Sequence, residues 1–518
     1  MPAPFPKSWS VLRFAACCLL PIPFLYLLFF YHLDQRDLWS SHEARAAQNA
    51  QVIVETGNWA LPRLFDGRVE MQKPPLFYWL VAAAAWLRGG TVDAWAVRVP
   101  STLAAMLGMA AVFLLAWRRG RPLAGALAAL VLGTMLHYTW MGRVGRTDMP
   151  LTAAVCISLL GLYLGWRSPR RSKGSRVIWL LAGYSAAAAA FLLKGPIGVV
   201  LPATVVVCSV AVKRLNRCAS KSPAPNFTTF FGRNALGLSW GVPLFLLLVT
   251  PWFLYANHQT HGEFFREFFW RHNLQRGLGG DLEMDGHEHP FWFYAAHMWV
   301  DMLPWSLLVP AAAIYLLRRG RWRKDAEAQF GGLWFLLMLG FLSLMHYKRP
   351  DYLLPAYPGL ALAIGCVVER WSRAWSDAWL RRAGAVFALG SIAIAAGWVL
   401  YVDVFLPRWE PARELRRFAA AVRECVPQPG QVLGFRIDSH QLAYHLGRPL
   451  ERLWEWENLD IWACQPAPVY VVMPADCAGD WQRFMEAGKL FPVLSTTTVA
   501  GRPHEHPVVL LCTRPPKP

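Results

Sequence analysis

Long apolar runs, separated alternately by basic and by mixed polar loops, constrain this chain more than any other feature. They fall at about 11–31, 97–117, 122–139, 148–166, 177–193, 196–212, 235–256, 298–317, 330–346, 350–368 and 383–405. Each is near the ~20 residues an α-helix needs to cross a hydrocarbon core. In that solvent every backbone N–H and C=O must be satisfied within the structure, so the runs read as transmembrane helices. Composition agrees: 16% of residues are charged, against about a quarter in soluble domains. The formal net charge of +19 would also suit a nucleic-acid binder, but these cations sit in short loops between apolar segments, which argues against a nucleic-acid partner.

The cations sort the loops. Arg118, Arg119 and Arg121 share one, Arg167 to Arg176 the next but one, then come Lys213 to Arg233, Arg318 to Lys324, and Arg370 to Arg382. Every second loop is basic, and these are expected to face the cytoplasm. The pattern holds if the short stretch PLFYWLVAAAAWL, 75–87, lies in or dips into the outer interface instead of spanning; a twelve-span arrangement that counts it stays open. No small-residue cleavage site follows the first run, which reads as a retained anchor. The expected fold class is an all-α polytopic membrane bundle of about eleven helices over 1–406, followed by a small α/β extracytoplasmic domain over 407–518. In that tail QVLGFR, VYVVM and PVVLLC are strand-like, while PARELRRFAAAVREC and DWQRFMEAGK read as helices. Cys425, Cys464, Cys477 and Cys512 leave room for one or two disulfides there in an oxidising compartment. The cysteines of the apolar runs read as small core residues.

The unusual polar sequence gathers on the outer side. In LWSSHEARAAQNA, 38–50, Ser40 or Ser41 can cap a helix that carries Glu43 and Arg45; alone this would suit a solvated interfacial helix. In EMQKPPLFYW, 70–79, two prolines fix the backbone after Lys73, and an ammonium held at headgroup depth suits a lipid phosphate. Asp148 in GRTDMPL opens a membrane helix with Pro150 just inside. It complements the helix dipole there, yet two carboxylates at one rim, Glu43 and Asp148, point to acid–base or acceptor-positioning work. Lys194 in FLLKGPIG either snorkels or is turned by Gly-Pro into the outer vestibule. The segment EFFWRHNLQRGL, 267–278, alternates aromatics with Arg271, His272 and Arg276, as a phosphate or sugar ligand requires; the aromatics of HEHPFWFY, 287–294, fit an interfacial belt. His272, His287 and His289 lack zinc-ligand spacing, so no metal is expected. In HYKRPDYLLPAYPG, 346–359, Lys348, Arg349 and Tyr352 stand beside a helix broken by Pro355 and Pro358, a setting for anion binding.

The order of HEAR, QKPPLFYW, GRTDMP, LLKGP, FFWRHNLQR, HPFWFY, MLPWSLLVP and KRPDYLLPAYP resembles the integral-membrane C-type (GT-C) glycosyltransferases, in particular the lipid A aminoarabinose transferase and protein O-mannosyltransferase branch. The likeness covers roughly residues 10–370. It implies inverting transfer of a sugar from a polyprenyl-phosphate donor to a lipid, glycan or protein acceptor, at the outer face of a bacterial inner membrane. It also implies that Lys73, Arg276 and Tyr352 hold the donor phosphate, with Arg45, Lys194, His272, Lys348 and Arg349 as further candidates. Glu43 lies in the acidic motif of the first outer loop and Asp148 matches the acid of the second; Glu43 is placed first as the base, ahead of Asp148, His42, Asp34 and Asp37. The chain departs from the aminoarabinose enzymes at His42, at Gln72 where they carry glutamate, and at Asn273 where a histidine is expected. The family's zinc site therefore looks dismantled, and no cofactor is expected. A transporter or flippase of a lipid-linked anion is the alternative; it should show internal repeats and mid-membrane polar groups, and neither is evident.

This topology has a direct check. Single cysteines introduced into exposed positions of 407–518 are expected to react with an impermeant maleimide from outside, and one placed between Arg318 and Lys324 only after permeabilisation; the reverse pattern would break the assignment.

Overall fold

The computed structural model describes residues 21–168, 173–219, 236–275, 288–426, 428–438 and 440–515. Among these, eight helices are long and apolar enough to cross a membrane. They begin at Ala94, Asp148, Gly174, Ile197, Leu238, Ala326, Pro350 and Asp377. A ninth span would be the pair Phe293–Asp301 and Trp305–Leu317, bent by 120° at its break. The expected run 298–317 is thus divided, because Pro304 at the break lacks the N–H a continuous helix needs. The run 122–139 is also divided. Its first helix, Pro122–Gly133, ends where Met135 turns extended, and the Thr134 hydroxyl bonds back to Leu130 O at 2.6 Å, a competitor to helix continuation. The stretch 75–87 forms the short helix Leu76–Trp86. Most of the first run, 11–31, lies outside the described residues.

Contacts divide the chain into two compact units, one of residues 1–31, 71–77 and 98–396, the other of 32–70, 78–97 and 397–518. In the first, the helices Asp148–Arg167 and Lys173–Lys194 meet at small residues. A Cβ on Gly161 would lie 2.5 Å from Gly183 N, and one on Gly183 would lie 3.0 Å from Leu162 N. Close backbone approach of this kind drives helix association where no hydrophobic effect operates between segments. At the basic end, Arg121 Nη1 reaches Asp325 at 2.7 Å, its Nη2 reaches Glu369 at 2.5 Å, and Nη2 also donates to Cys366 O at 3.0 Å. One guanidinium thus ties the start of Pro122–Gly133 to the N-cap of one later helix and the last turns of another, Tyr357–Ser372.

The second unit holds a five-stranded sheet: β1 Val432–Phe435, β2 Glu451–Leu453, β3 Tyr470–Pro474, β4 Phe491–Ser495 and β5 Val508–Cys512. Their order is β2-β1-β3-β5-β4, with β1 parallel to β2 and β3, and β5 antiparallel to β3 and β4. Alternate residues fill two cores: Leu433, Phe435, Val471 and Met473 face one way, and Val432, Val472 and Leu510 the other, as the two-residue period of a strand dictates. The expected helix 480–489 forms only over Trp481–Phe484. The Asp460 carboxylate takes the backbone N–H groups of Glu486, Ala487 and Gly488 at 3.1, 3.3 and 2.6 Å, so that stretch is held as a loop. Cys425, Cys464, Cys477 and Cys512 are free thiols, which corrects the disulfide expectation.

Replacing Arg121 by Met takes the buried partner from Glu369 and Asp325, leaving them the more exposed Arg373 and Arg370. Breaking a buried pair of this kind costs about 3–5 kcal/mol, so the unfolding midpoint of the purified protein should fall clearly, whereas Arg373→Ala, at a largely exposed side chain, should leave it in place. Equal midpoints for Arg121→Met and wild type would remove the tie.

Candidate active site

Asp148 is the first residue of its helix and is buried. Lys194 ends the next helix, the return arm of the same hairpin, and Gly195, at φ +72°, turns the chain there. A Cβ on Gly195 would strike the Phe268 ring at 2.5 Å, so the turn suits glycine twice over. The turn delivers the Lys194 ammonium to 2.5 Å from Asp148 Oδ1 and 3.9 Å from the centroid of the Tyr352 ring, a cation–π distance. Arg146 Nε stands 3.6 Å from the other Asp148 oxygen, and Arg146 Nη1 lies 2.5 Å from Asp351 Oδ2. The chain of charges continues through His137, 3.7 Å from Asp351 and 3.6 Å from Asp301, to the Tyr357 hydroxyl, which donates to Asp301 at 2.5 Å. These groups sit at helix ends and loops, so the pairing keeps each charge compensated where water is scarce.

Beside this chain lies a cavity of about 160 Å³. Its polar side is built from Lys73, Lys194, His272 and Tyr352, with the amides Gln72 and Asn273. Leu151, Ile197, Leu201, Phe268 and Leu342 form its apolar wall. Pro74 also lines it, in keeping with the Pro-Pro that sets Lys73. His272 Nε2 is 3.3 Å from Glu267, and the Asn273 amide donates to Phe268 O at 2.7 Å. As a zinc site this donor set does not fit: amides stand where thiolate, imidazole or carboxylate would be needed.

The second unit holds Glu43 and Arg45. Ser40 is the N-cap of Ser41–Thr56, its hydroxyl accepting from Glu43 N. Glu43 is fully buried, and both its oxygens accept from Arg36, each at 3.1 Å. Arg45 donates to His440 Nε2 at 3.3 and 3.0 Å and lies 3.8 Å from Glu70. Arg452 approaches the same His440 nitrogen at 2.8 Å, while Gln48 donates to His440 O at 2.7 Å. Two guanidiniums on one ring nitrogen require it to be an acceptor. Burial, then the charges of Arg45 and Arg452, bring the His440 pKa down to about 3. Asp37 is buried against His445 Nε2 at 2.9 Å.

Of the residues expected to hold a phosphate, the structure therefore brings Lys73, Lys194, His272 and Tyr352 together. Arg276 lies outside the described residues. Arg45 serves the His440 cluster, and Lys348, which donates to His289 O and Met345 O at 2.8 and 2.6 Å, ties backbone segments. The Arg349 N–H donates to the Tyr294 hydroxyl at 3.3 Å; neither Lys348 nor Arg349 lines the cavity. Sequence reasoning missed Arg146, Asp351, His137 and Asp301. Of these Arg146, two residues before Asp148, and Asp351, directly before Tyr352, lay inside stretches that carried a signal.

The cavity thus joins a cationic head to an apolar wall at the ends of membrane helices. Residues 72–233 match the family model for dolichyl-phosphate-mannose-protein mannosyltransferase. The undecaprenyl phosphate-alpha-4-amino-4-deoxy-L-arabinose arabinosyl transferase of Pseudomonas aeruginosa (strain LESB58) is 30% identical over 403 residues, covering 77% of this chain and 67% of that protein. The transferase 1 of that name from Pseudomonas fluorescens (strain Pf0-1) is 30% identical over 408 residues, 77% of this chain and 65% of that one. The chain thus spans about two thirds of the length of these curated relatives. Its fold is similar to ArnT from Cupriavidus metallidurans bound to undecaprenyl phosphate, with a TM-score of 0.75 at 19% identity over 97% of this chain and 100% of that one. It is also similar to the Archaeoglobus fulgidus oligosaccharyltransferase, at 0.58 and 11% over 92% and 71%. The chain belongs to the aminoarabinosyl transferase family of GT-C membrane glycosyltransferases.

The His440 cluster makes stability depend on pH. Its folded pKa lies below the ordinary value of 6.5, so the unfolded state takes the proton first as pH falls. The contribution is whole above pH 6.5 and declines toward pH 3, by at most about 1.4 kcal/mol per pH unit. His440→Gln keeps an acceptor for Arg45 and Arg452 without the titration, and its unfolding midpoint should fall less steeply between pH 6.5 and 4 than that of wild type. Parallel curves would show that His440 does not set this dependence.

Proposed function

We propose that the protein is an inverting glycosyltransferase that moves a sugar from a polyprenyl-phosphate donor to a lipid, glycan or protein acceptor at the outer face of the bacterial inner membrane. The observation that carries this reading is the cavity in which Lys73, Lys194, His272 and Tyr352 face an apolar wall of Leu151, Ile197, Leu201 and Phe268. Such a space suits a phosphate at one end and the first isoprene units at the other. The similar proteins are named as arabinosyl transferases of an undecaprenyl phosphate sugar, which supports the same donor class.

Breaking the bond between the anomeric carbon and the phosphate oxygen leaves a polyprenyl phosphate with one further negative charge. Cations fixed beforehand at that phosphate stabilise it more in the transition state than in the ground state. Lys73 and Lys194 are assigned this role, with Arg276 as a third cation. Tyr352 places its ring against the Lys194 ammonium. Asp148 is assigned to the donor side, where it anchors Lys194. Glu43 is assigned to the acceptor side as the base or orienting group; with both oxygens held by Arg36, it must exchange that fork for the acceptor nucleophile.

The reaction is read as metal-independent because Gln72 and Asn273 replace ligating side chains in the cavity. In this reading residues 1–406 carry the transfer and 407–518 form an extracytoplasmic domain. Adding the apolar runs 11–31 and 122–139 to the nine candidate spans gives about eleven.

Purified protein given radiolabelled undecaprenyl-phosphate sugars and envelope extract should pass label to an acceptor. Lys73→Ala removes one charged contact, about 1.5–3 kcal/mol, and should raise the donor KM roughly 10- to 100-fold. Asp148→Asn and Glu43→Gln should lower kcat at least about 100-fold, the scale of an acid–base or electrostatic role, with expression unchanged. Unaltered donor KM in the first and unaltered turnover in the others would sink these roles, and chelator inhibition reversed by zinc would overturn metal independence.

A further inference from the structure

A second cavity, of about 220 Å³, lies at the other end of the first unit's helices. It is far from the site above: Arg167, in its wall, stands 19 residues along the same helix from Asp148, about 28 Å at the helical rise. Four cations line it, Arg167, Lys213, Arg323 and Lys324, and its lining includes no carboxylate. The nearby acids are already matched: Asp325 by Arg121 and Arg370, and Glu327 by Arg119. The lining thus carries four basic side chains and no acidic one.

The rest of the lining is aromatic or apolar. Tyr163 and Phe330 pack with ring centroids 4.2 Å apart. The Lys213 ammonium lies 4.6 Å from the Trp166 ring centroid, and Leu333 extends the wall along the Ala326–Leu344 helix. Two polar atoms of the lining are buried without a hydrogen-bond partner, Ser209 Oγ and Gln329 Nε2, and Ser209 itself is 7% exposed. Buried polar atoms of this kind ordinarily find partners, so the pair marks a place where an oxygen-rich group would complete the structure. The volume is several times the ~30 Å³ share of one water.

We propose that this cavity binds the headgroup of an anionic phospholipid of the cytoplasmic leaflet, with two phosphates as the best match for four cations. The basic loops put this end at the cytoplasmic headgroup depth, where basic pockets between membrane helices meet such lipids. The aromatic and leucine wall gives the acyl chains a route along the Ala326–Leu344 helix. A free phosphate shares the anion chemistry but has no use for that wall. This site is independent of the transfer reaction.

Full-length protein, delipidated in detergent, is titrated with tetraoleoyl cardiolipin while bound lipids are counted by native mass spectrometry. One lipid should bind ahead of the rest. Arg323→Gln/Lys324→Gln, at exposed side chains that the fold tolerates losing, should weaken that first binding about 25-fold, at roughly fivefold per cation. Arg381→Gln/Arg382→Gln, basic but outside the cavity, should leave it unchanged, and Ser209→Leu, which fills the cavity, should weaken it without a change of charge. Equal affinity in the Arg323/Lys324 variant, equal losses in both charge variants, or displacement of the lipid by inorganic phosphate would each overturn the proposal.

Discussion

Asp148 between Lys194 and Arg146 is the contact on which the rest of the first unit's outer end depends. A lone carboxylate buried at the mouth of a membrane helix would be costly. Held by an ammonium at 2.5 Å and faced by a guanidinium at 3.6 Å, it becomes a fixed point instead. Arg146 passes the constraint to Asp351, next to Tyr352, and His137 carries it on toward Asp301. Ion pairing therefore joins the start of one helix, the turn after another and the 3-10 segment Pro350–Ala356. Lys194, one of the cavity's cations, owes its position to this chain of paired groups.

Much of this was legible because local chemistry announces itself. Two prolines after Lys73 and Gly-Pro after Lys194 fix the backbone, Pro150 after Asp148 marks a helix start, and all three of these charged residues belong to the same unit. The strands β1, β3 and β5 were visible as short apolar, strand-like runs. What stayed hidden depends on distant partners. Nothing near Asp351 in the chain announces Arg146, and nothing near Glu43 signals that Arg36 would take both its oxygens. The stretch 480–489 has helical composition, yet Asp460 captures three of its N–H groups, and tertiary hydrogen bonding overrides propensity. Arg45 illustrates the opposite error. Its position beside Glu43 suggested a phosphate contact, while a histidine nearly four hundred residues later occupies it.

The two units use charge in different ways. In the membrane unit, cations and carboxylates alternate at both ends of the helices, so that Arg121 among Asp325 and Glu369 mirrors, at the basic end, what Lys194 and Arg146 do for Asp148. In the other unit, two guanidiniums converge on a neutral imidazole, an arrangement that survives only while His440 keeps its acceptor nitrogen bare. The first device tolerates burial because opposite charges cancel; the second because one partner is uncharged.

The cavity beside Asp148 is assembled from stretches near residues 73, 194, 272 and 352, which are made one after another along the chain. No shorter piece of the polypeptide holds the whole anion-binding head. Until the segment bearing Tyr352 has been inserted, the ammonium of Lys194 lacks the ring that it rests on. A partly synthesised chain therefore lacks the complete cavity, which is closed only when most of the bundle is already built.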